Sequence, residues 1–98
     1  MNRPVILRRI ARAEFDDAAD WYESRRAGQG AAFTAAVRHV LMDLGARPEA
    51  HPEVYDDVRE ALVERYPYVV YYRPEPGQIT VLAIFHTSRD PADWQGRT

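Results

Sequence analysis

Ninety-eight residues, 46% apolar and 29% charged, are enough for one small domain with a single core, expected here over residues 1–98. The absence of cysteine excludes disulfide frameworks, thiolate metal sites and cysteine nucleophiles. Net charge is only −2, but all thirteen basic residues are arginine, so no lysine exists to act as base, nucleophile or Schiff-base former. The mildly acidic isoelectric point argues against broad electrostatic attraction to nucleic acid, although a local arginine cluster is still open. No apolar run approaches the roughly 20 residues of a membrane span. Met1-Asn2-Arg3-Pro4 has none of the apolar character of a secretory signal, so a cytoplasmic protein without a membrane partner is expected.

Val5 to Ile10 is a short apolar run that reads as a strand. The period then changes. Phe15, Ala18, Ala19 and Tyr22 fall at i, i+3, i+4 and i+7, one face of an amphipathic helix. Glu14, Asp16, Asp17, Asp20 and Glu23 occupy its other side and read as a solvated face. After the break at Gly28-Gln29-Gly30, Phe33, Ala36, Val37, Val40, Leu41 and Leu44 mark a second helix, ended by Gly45 and Pro48. A loop with His51, Pro52 and Tyr55 follows, then three strand signals: Val58 to Arg65, Tyr68 to Arg73 and Gln78 to His86. Pro74-Glu75-Pro76-Gly77 reads as the turn between the last two. The predicted order is β-α-α-β-β-β, an α+β fold with a small, mainly antiparallel sheet packed against an N-terminal helical hairpin.

The residues that can carry chemistry fall in two groups. His86, Arg89 and Trp94 gather just beyond the apolar strand, offering a proton carrier, a phosphate-binding fork and a stacking surface. Such a set suits RNA cleavage, where the internal 2′-hydroxyl is the nucleophile. It equally suits a plain closing of the sheet, with His86 bonded to backbone, Arg89 paired to Asp90 or Asp93, and Trp94 on the core edge. The second group is Arg59, Arg65 and Arg73, an anion cradle if strand alternation puts them on one face, or wet ion pairs with Glu60, Glu64 and Glu75. The tyrosines read as core and edge residues. His39 and His51 lack partners at metal-ligand spacing, so no metal is expected, and there is no phosphate-binding glycine loop or nucleophile elbow.

Several short pieces carry a family likeness when taken in order. They are Ala13-x-x-Asp16, Ala18-x-x-Trp21-Tyr22, Gly28-x-Gly30-x-x-Phe33, Pro48, Arg59, Tyr66-Pro67-Tyr68-x-Val70-x-Tyr72 and His86-x-x-Arg89-x-Pro91-x-x-Trp94. With these the chain resembles the RelE/ParE superfamily, the toxins of bacterial type II toxin–antitoxin systems, often called plasmid stabilisation proteins. The resemblance implies a growth-inhibiting toxin, no cofactor, and a cognate antitoxin as partner. A ParE-like member poisons DNA gyrase and is not a nuclease; the Trp-Tyr helix and the Tyr-Pro-Tyr strand look closer to this branch. A RelE-like member instead cleaves mRNA on the ribosome, and would use His86, Arg89 and Arg59 as catalytic residues. Lack of lysine, the acidic balance and the missing tyrosine after His86 depart from that pattern. In either branch Arg65, Arg73, Tyr72 and Trp94 are expected to bind target or antitoxin; a module that only binds antitoxin is the third expectation.

Overall fold

The computed structural model describes residues 2–98. Strand β1 (Val5–Leu7) leads into helix α1 (Arg9–Arg25), and helix α2 (Gln29–Ala46) returns against it. Strands β2 (Glu53–Tyr55), β3 (Val58–Leu62), β4 (Tyr68–Glu75) and β5 (Gln78–His86) follow, with a single-turn helix α3 (Ala92–Gln95) at the end. The five strands form one sheet in the order β1-β5-β4-β3-β2. Only β1 and β5 run parallel; the chain between them passes through both helices and the three other strands, so no tight turn ties them into a hairpin. The α+β expectation of a mainly antiparallel sheet backed by a helical hairpin holds.

The hairpin covers one face of the sheet. Its apolar stripes, Phe15 and Ala18 from α1 and Phe33, Val37, Val40 and Leu44 from α2, meet Val70, Tyr72, Ile79, Val81 and Ile84. Tyr22 stacks on Phe33 with ring centroids 5.0 Å apart, and Tyr66 and Tyr68 meet Phe33 edge-on, which closes one end of this core with aromatic packing. The helices approach closely at Gly30: a Cβ there would lie 2.8 Å from the Ala19 carbonyl oxygen. The same turn is capped by Glu23, whose carboxylate accepts the backbone N–H groups of Gly28 and Gly30.

A smaller cluster lies on the opposite face: Val58, Leu82, Ala83 and Phe85 under Trp94, with Tyr71 beside them. It exists because β5 carries one extra residue. Tyr71 pairs with Ala83 and Tyr72 with Val81, so Leu82 bulges and joins Ala83 on the outer side.

Three expected boundaries shift and two short elements are added. β1 ends at Leu7, because Arg9 and Ile10 already belong to α1. β3 ends at Leu62; Arg65 sits at φ 73° in a turn closed by the Tyr66 N–H to the Val63 carbonyl, so Arg59 and Arg65 do not share a strand face. Pro74 and Glu75 extend β4, where Pro74 pairs with Ile79, leaving Pro76-Gly77 as the turn. β2 and α3 come from segments that read as loop, being three and four residues long. Among the described residues no helix is long and apolar enough to cross a membrane.

Candidate functional site

β5 delivers His86 to the rim of the sheet beside α1, and the chain turns back there through Arg89. Between α1 and this end of β4 and β5 lies an open groove of about 560 Å³. Its floor is apolar: Ala18, Tyr22, Pro67, Tyr68 and Ile84. Trp21, half exposed at 50%, forms one wall, with the Arg25 guanidinium stacked on its ring at 4.6 Å. His86 and Arg89 stand opposite.

Both polar residues are already engaged. The His86 Nδ1 accepts the Ser88 backbone N–H at 3.0 Å, so the ring proton sits on Nε2. That tautomer presents a donor and no free lone pair, which suits binding rather than proton abstraction. Arg89 donates to Glu14 Oε2 at 2.7 Å, lies over the Phe85 ring at 4.3 Å, and reaches Asp93 at 3.6 Å.

Glu14 was expected on the wet face of α1; its side chain is 12% exposed and is the hub of this region. Its carboxylate accepts the Ile84 backbone N–H at 3.1 Å and two bonds from Arg97 at 3.0 and 2.9 Å, besides that from Arg89. Arg97 also donates to the Leu82 carbonyl at 3.2 Å. The reason is topological. β1 pairs with β5 only as far as Val81, and past that point the β5 edge needs new partners. Arg97 supplies the donor and Glu14 the acceptor that another strand residue would have supplied.

The other sequence candidates lie elsewhere. Arg59 is opposite Tyr72, which is opposite Val81, five residues along β5 from His86. At about 3.3 Å per residue and 4.8 Å per strand this puts Arg59 roughly 19 Å from His86. Its guanidinium donates to the His51 and Glu49 carbonyls and tethers that loop. Arg73 pairs with Asp57 at 3.0 Å on the far face. Arg65 lines a second groove of about 570 Å³, between α2 and the β3–β4 corner, with His39, His51 and Leu62. Tyr72 is fully buried and donates to the Pro48 carbonyl at 2.7 Å; burial pushes its phenol up to about 12. It is therefore a core residue that no partner can touch. Trp94 is 2% exposed and stacks on Tyr71 at 3.9 Å across the sheet from the groove, so it does not line the groove with His86 and Arg89. Three arginines, two of them on different strands, thus make no common cradle.

Asp43, at the end of α2, holds His51 at 2.9 Å and Arg47 at 2.8 Å. The hydrogen bond from His51, then that from Arg47, keeps its carboxyl below the usual carboxylate range. Among the described residues no group of three His, Cys, Asp or Glu side chains can hold a metal ion. The chemistry that the groove offers is recognition: an apolar floor, an exposed indole, and donors at His86.

A small, mainly antiparallel sheet backed on one face by an α1–α2 hairpin is also the fold of a solved protein. The chain is similar, with a TM-score of 0.76 and 21% identity over 88% of this chain and 97% of the other, to the structure described as the chromosomal ParDE TA system from P. aeruginosa. The family described as ParE toxin of type II toxin-antitoxin system, parDE, matches residues 5–91, and the chain belongs to it. It is a type II toxin, and its partner is an antitoxin. A search of curated proteins finds no match.

Proposed function

We infer that this toxin acts in the cytoplasm by binding and poisoning DNA gyrase, as one toxin domain over residues 1–98, and not by cutting RNA. The observation that carries this reading is the dispersal of its cationic groups. A ribonuclease needs a proton acceptor and a phosphate-binding cation within hydrogen-bond reach of one phosphodiester. Here Arg59 is at the other end of the sheet from His86, Arg89 is spent on Glu14, and the His86 ring offers no free lone pair. Membership of the ParE family supports the same branch.

Two parallel measurements test it. Purified toxin is expected to inhibit supercoiling and to trap cleaved DNA in a gyrase-dependent assay, while total mRNA from growth-arrested cells stays intact. Codon-positioned mRNA cuts that vanish with Arg89→Ala, together with unaffected gyrase, would establish the ribosome-dependent endoribonuclease instead. Normal growth of cells expressing the isolated chain would leave a module that only binds antitoxin.

A further inference from the structure

We propose that Arg8, Arg9 and Arg12, at the start of α1, form a contact for the phosphate backbone of duplex DNA, so that the toxin touches the DNA held by gyrase as well as the enzyme. The inference rests on the gyrase reading. All three residues are exposed, and none of them lines either groove. Arg9 and Arg12 are three positions apart and Arg8 and Arg12 four, so the three are neighbours on the helix surface.

Folding does not account for these charges. A helix begins at the positive end of its dipole, where carboxylates stabilise it and arginines do not. Yet α1 has no acidic residue in its first turn. Local partners are few as well. The Arg8 guanidinium donates to the Arg97 carbonyl at 2.7 Å, which leaves its charge uncancelled. The Arg9 side chain has no hydrogen bond or ion pair among the described residues. Arg12 lies 5.8 Å over the Phe15 ring and faces Asp16 at 3.5 Å, contacts that leave its side chain 59% exposed. An ion pair in water of that kind contributes little. Where a chain breaks a local rule without a gain in packing, function is the usual reason.

The spacing suits a row of phosphates. From Arg8 to Arg12 the chain rises about 6 Å along the helix axis. One DNA strand carries a phosphate for about every 3.4 Å of duplex axis, so about two phosphates fall beside the patch. Each guanidinium fork can take a phosphate with two parallel donors. A chain of net charge −2 does not collect free duplex. The contact forms where gyrase has already placed the DNA, and it adds to the hold on the cleaved complex.

The test titrates the whole labelled toxin with gyrase, with and without a DNA duplex in its cleavage site, across a salt series. Wild type is expected to bind more tightly when DNA is present. Arg9→Gln and Arg12→Gln are each expected to lose about eightfold at about 0.1 M salt, and about one unit of log–log salt slope, only in the presence of DNA. Arg38→Gln, an equal change of charge on the exposed side of α2, leaves both unchanged. Arg9→Gln is also expected to raise Tm by about 2–4 °C, because it removes a charge that opposes the dipole. A fall in its Tm would show that Arg9 serves the fold, and would overturn the assignment. Equal binding by wild type and all three variants overturns it too. A loss of the same size with and without DNA would set the arginines against an acidic face of the enzyme and overturn the DNA contact. A wild-type toxin that binds gyrase in neither state overturns the gyrase reading itself, and the patch with it.

Discussion

Glu14→Ala is the sharpest probe of how this fold closes. The carboxylate holds three things at once: the Ile84 N–H, the Arg97 guanidinium and the Arg89 guanidinium. Arg89 is 40% exposed and returns to water, so its loss costs little. The other two do not escape so easily. An orphaned buried N–H costs about 1–3 kcal/mol. Arg97, 12% exposed, is left charged with only the Leu82 carbonyl, and breaking a buried pair costs about 3–5 kcal/mol at full burial. Allowing for the water that can reach a cavity at the sheet rim, about 3–4 kcal/mol is expected, out of the 5–15 typical of a domain. For a chain this short that is a fall of roughly 15–25 °C in Tm. Glu14→Gln keeps one acceptor and the shape, and should cost about half as much, since one hydrogen bond to a charged group contributes about 1.5–3 kcal/mol. Urea unfolding measures both, and hydrogen exchange at the Ile84 amide reports the bond directly. A double-mutant cycle with Arg97→Met should give a coupling of about 1–3 kcal/mol. If Glu14→Ala falls within about 0.5 kcal/mol of wild type, as an exposed substitution would, then the edge is not held by this carboxylate.

Three further outcomes follow from the same geometry. Gly30→Ala places a Cβ 2.8 Å from the Ala19 backbone oxygen and 2.9 Å from the Glu23 Cβ, so the hairpin must open; about 1–3 kcal/mol of destabilisation is expected in chemical denaturation. Tyr72→Phe leaves the Pro48 carbonyl without its donor at a cost of about 1–2 kcal/mol, and it alters the alkaline limb. The phenol is raised to about 12 by burial, so its contribution is complete below the unfolded value near 10 and disappears as pH rises through about 12; the phenylalanine variant lacks that part of the decline. On the acid side the sign reverses. Asp43 is depressed by His51 and Arg47, so its contribution is present above the ordinary carboxylate value of about 3.9 and fades as pH falls through the lower folded value. Asp43→Asn should flatten the acid unfolding curve below about pH 4, and an unchanged slope would refute the pairing.

The long periodic segments were legible in the sequence because burial there is repetitive. Phe33, Val37, Val40 and Leu44 recur at helical spacing, and each of them is buried under α2. What stayed hidden was set by single tertiary contacts. β2 spans three residues and α3 four, too short for any period to register. Arg65 holds a left-handed backbone conformation that propensity assigns to glycine or asparagine, so nothing in the residue type marks the end of β3 before it. The site residues divide in the same way. His86 and Arg89 lie three positions apart across one turn and both line the groove, whereas grouping Trp94 with them fails because α3 delivers its indole to the outer face of the sheet.

The acidic side of α1 makes the deeper point about what a helical wheel can see. Glu14, Asp16, Asp17, Asp20 and Glu23 all lie off the apolar stripe, Glu14 at its border beside Ala18, yet the wheel does not show their different tasks. Glu23 caps the Gly28–Gly30 turn, Asp16 pairs with Arg12 within its own helix, and Asp17 faces the groove. Glu14 alone completes the β5 edge. Its task is decided by β1, which leaves the ladder after Leu7, and by the bulge at Leu82 that turns the Ile84 N–H towards α1. Had β1 continued for two more residues, their backbone would have occupied the edge and Glu14 would have been excluded from it. The brevity of one strand thus places a carboxylate against β5. That carboxylate in turn holds Arg89 beside the groove and Arg97 at the sheet rim, so the wall that faces a partner and the closure of the core depend on the same side chain.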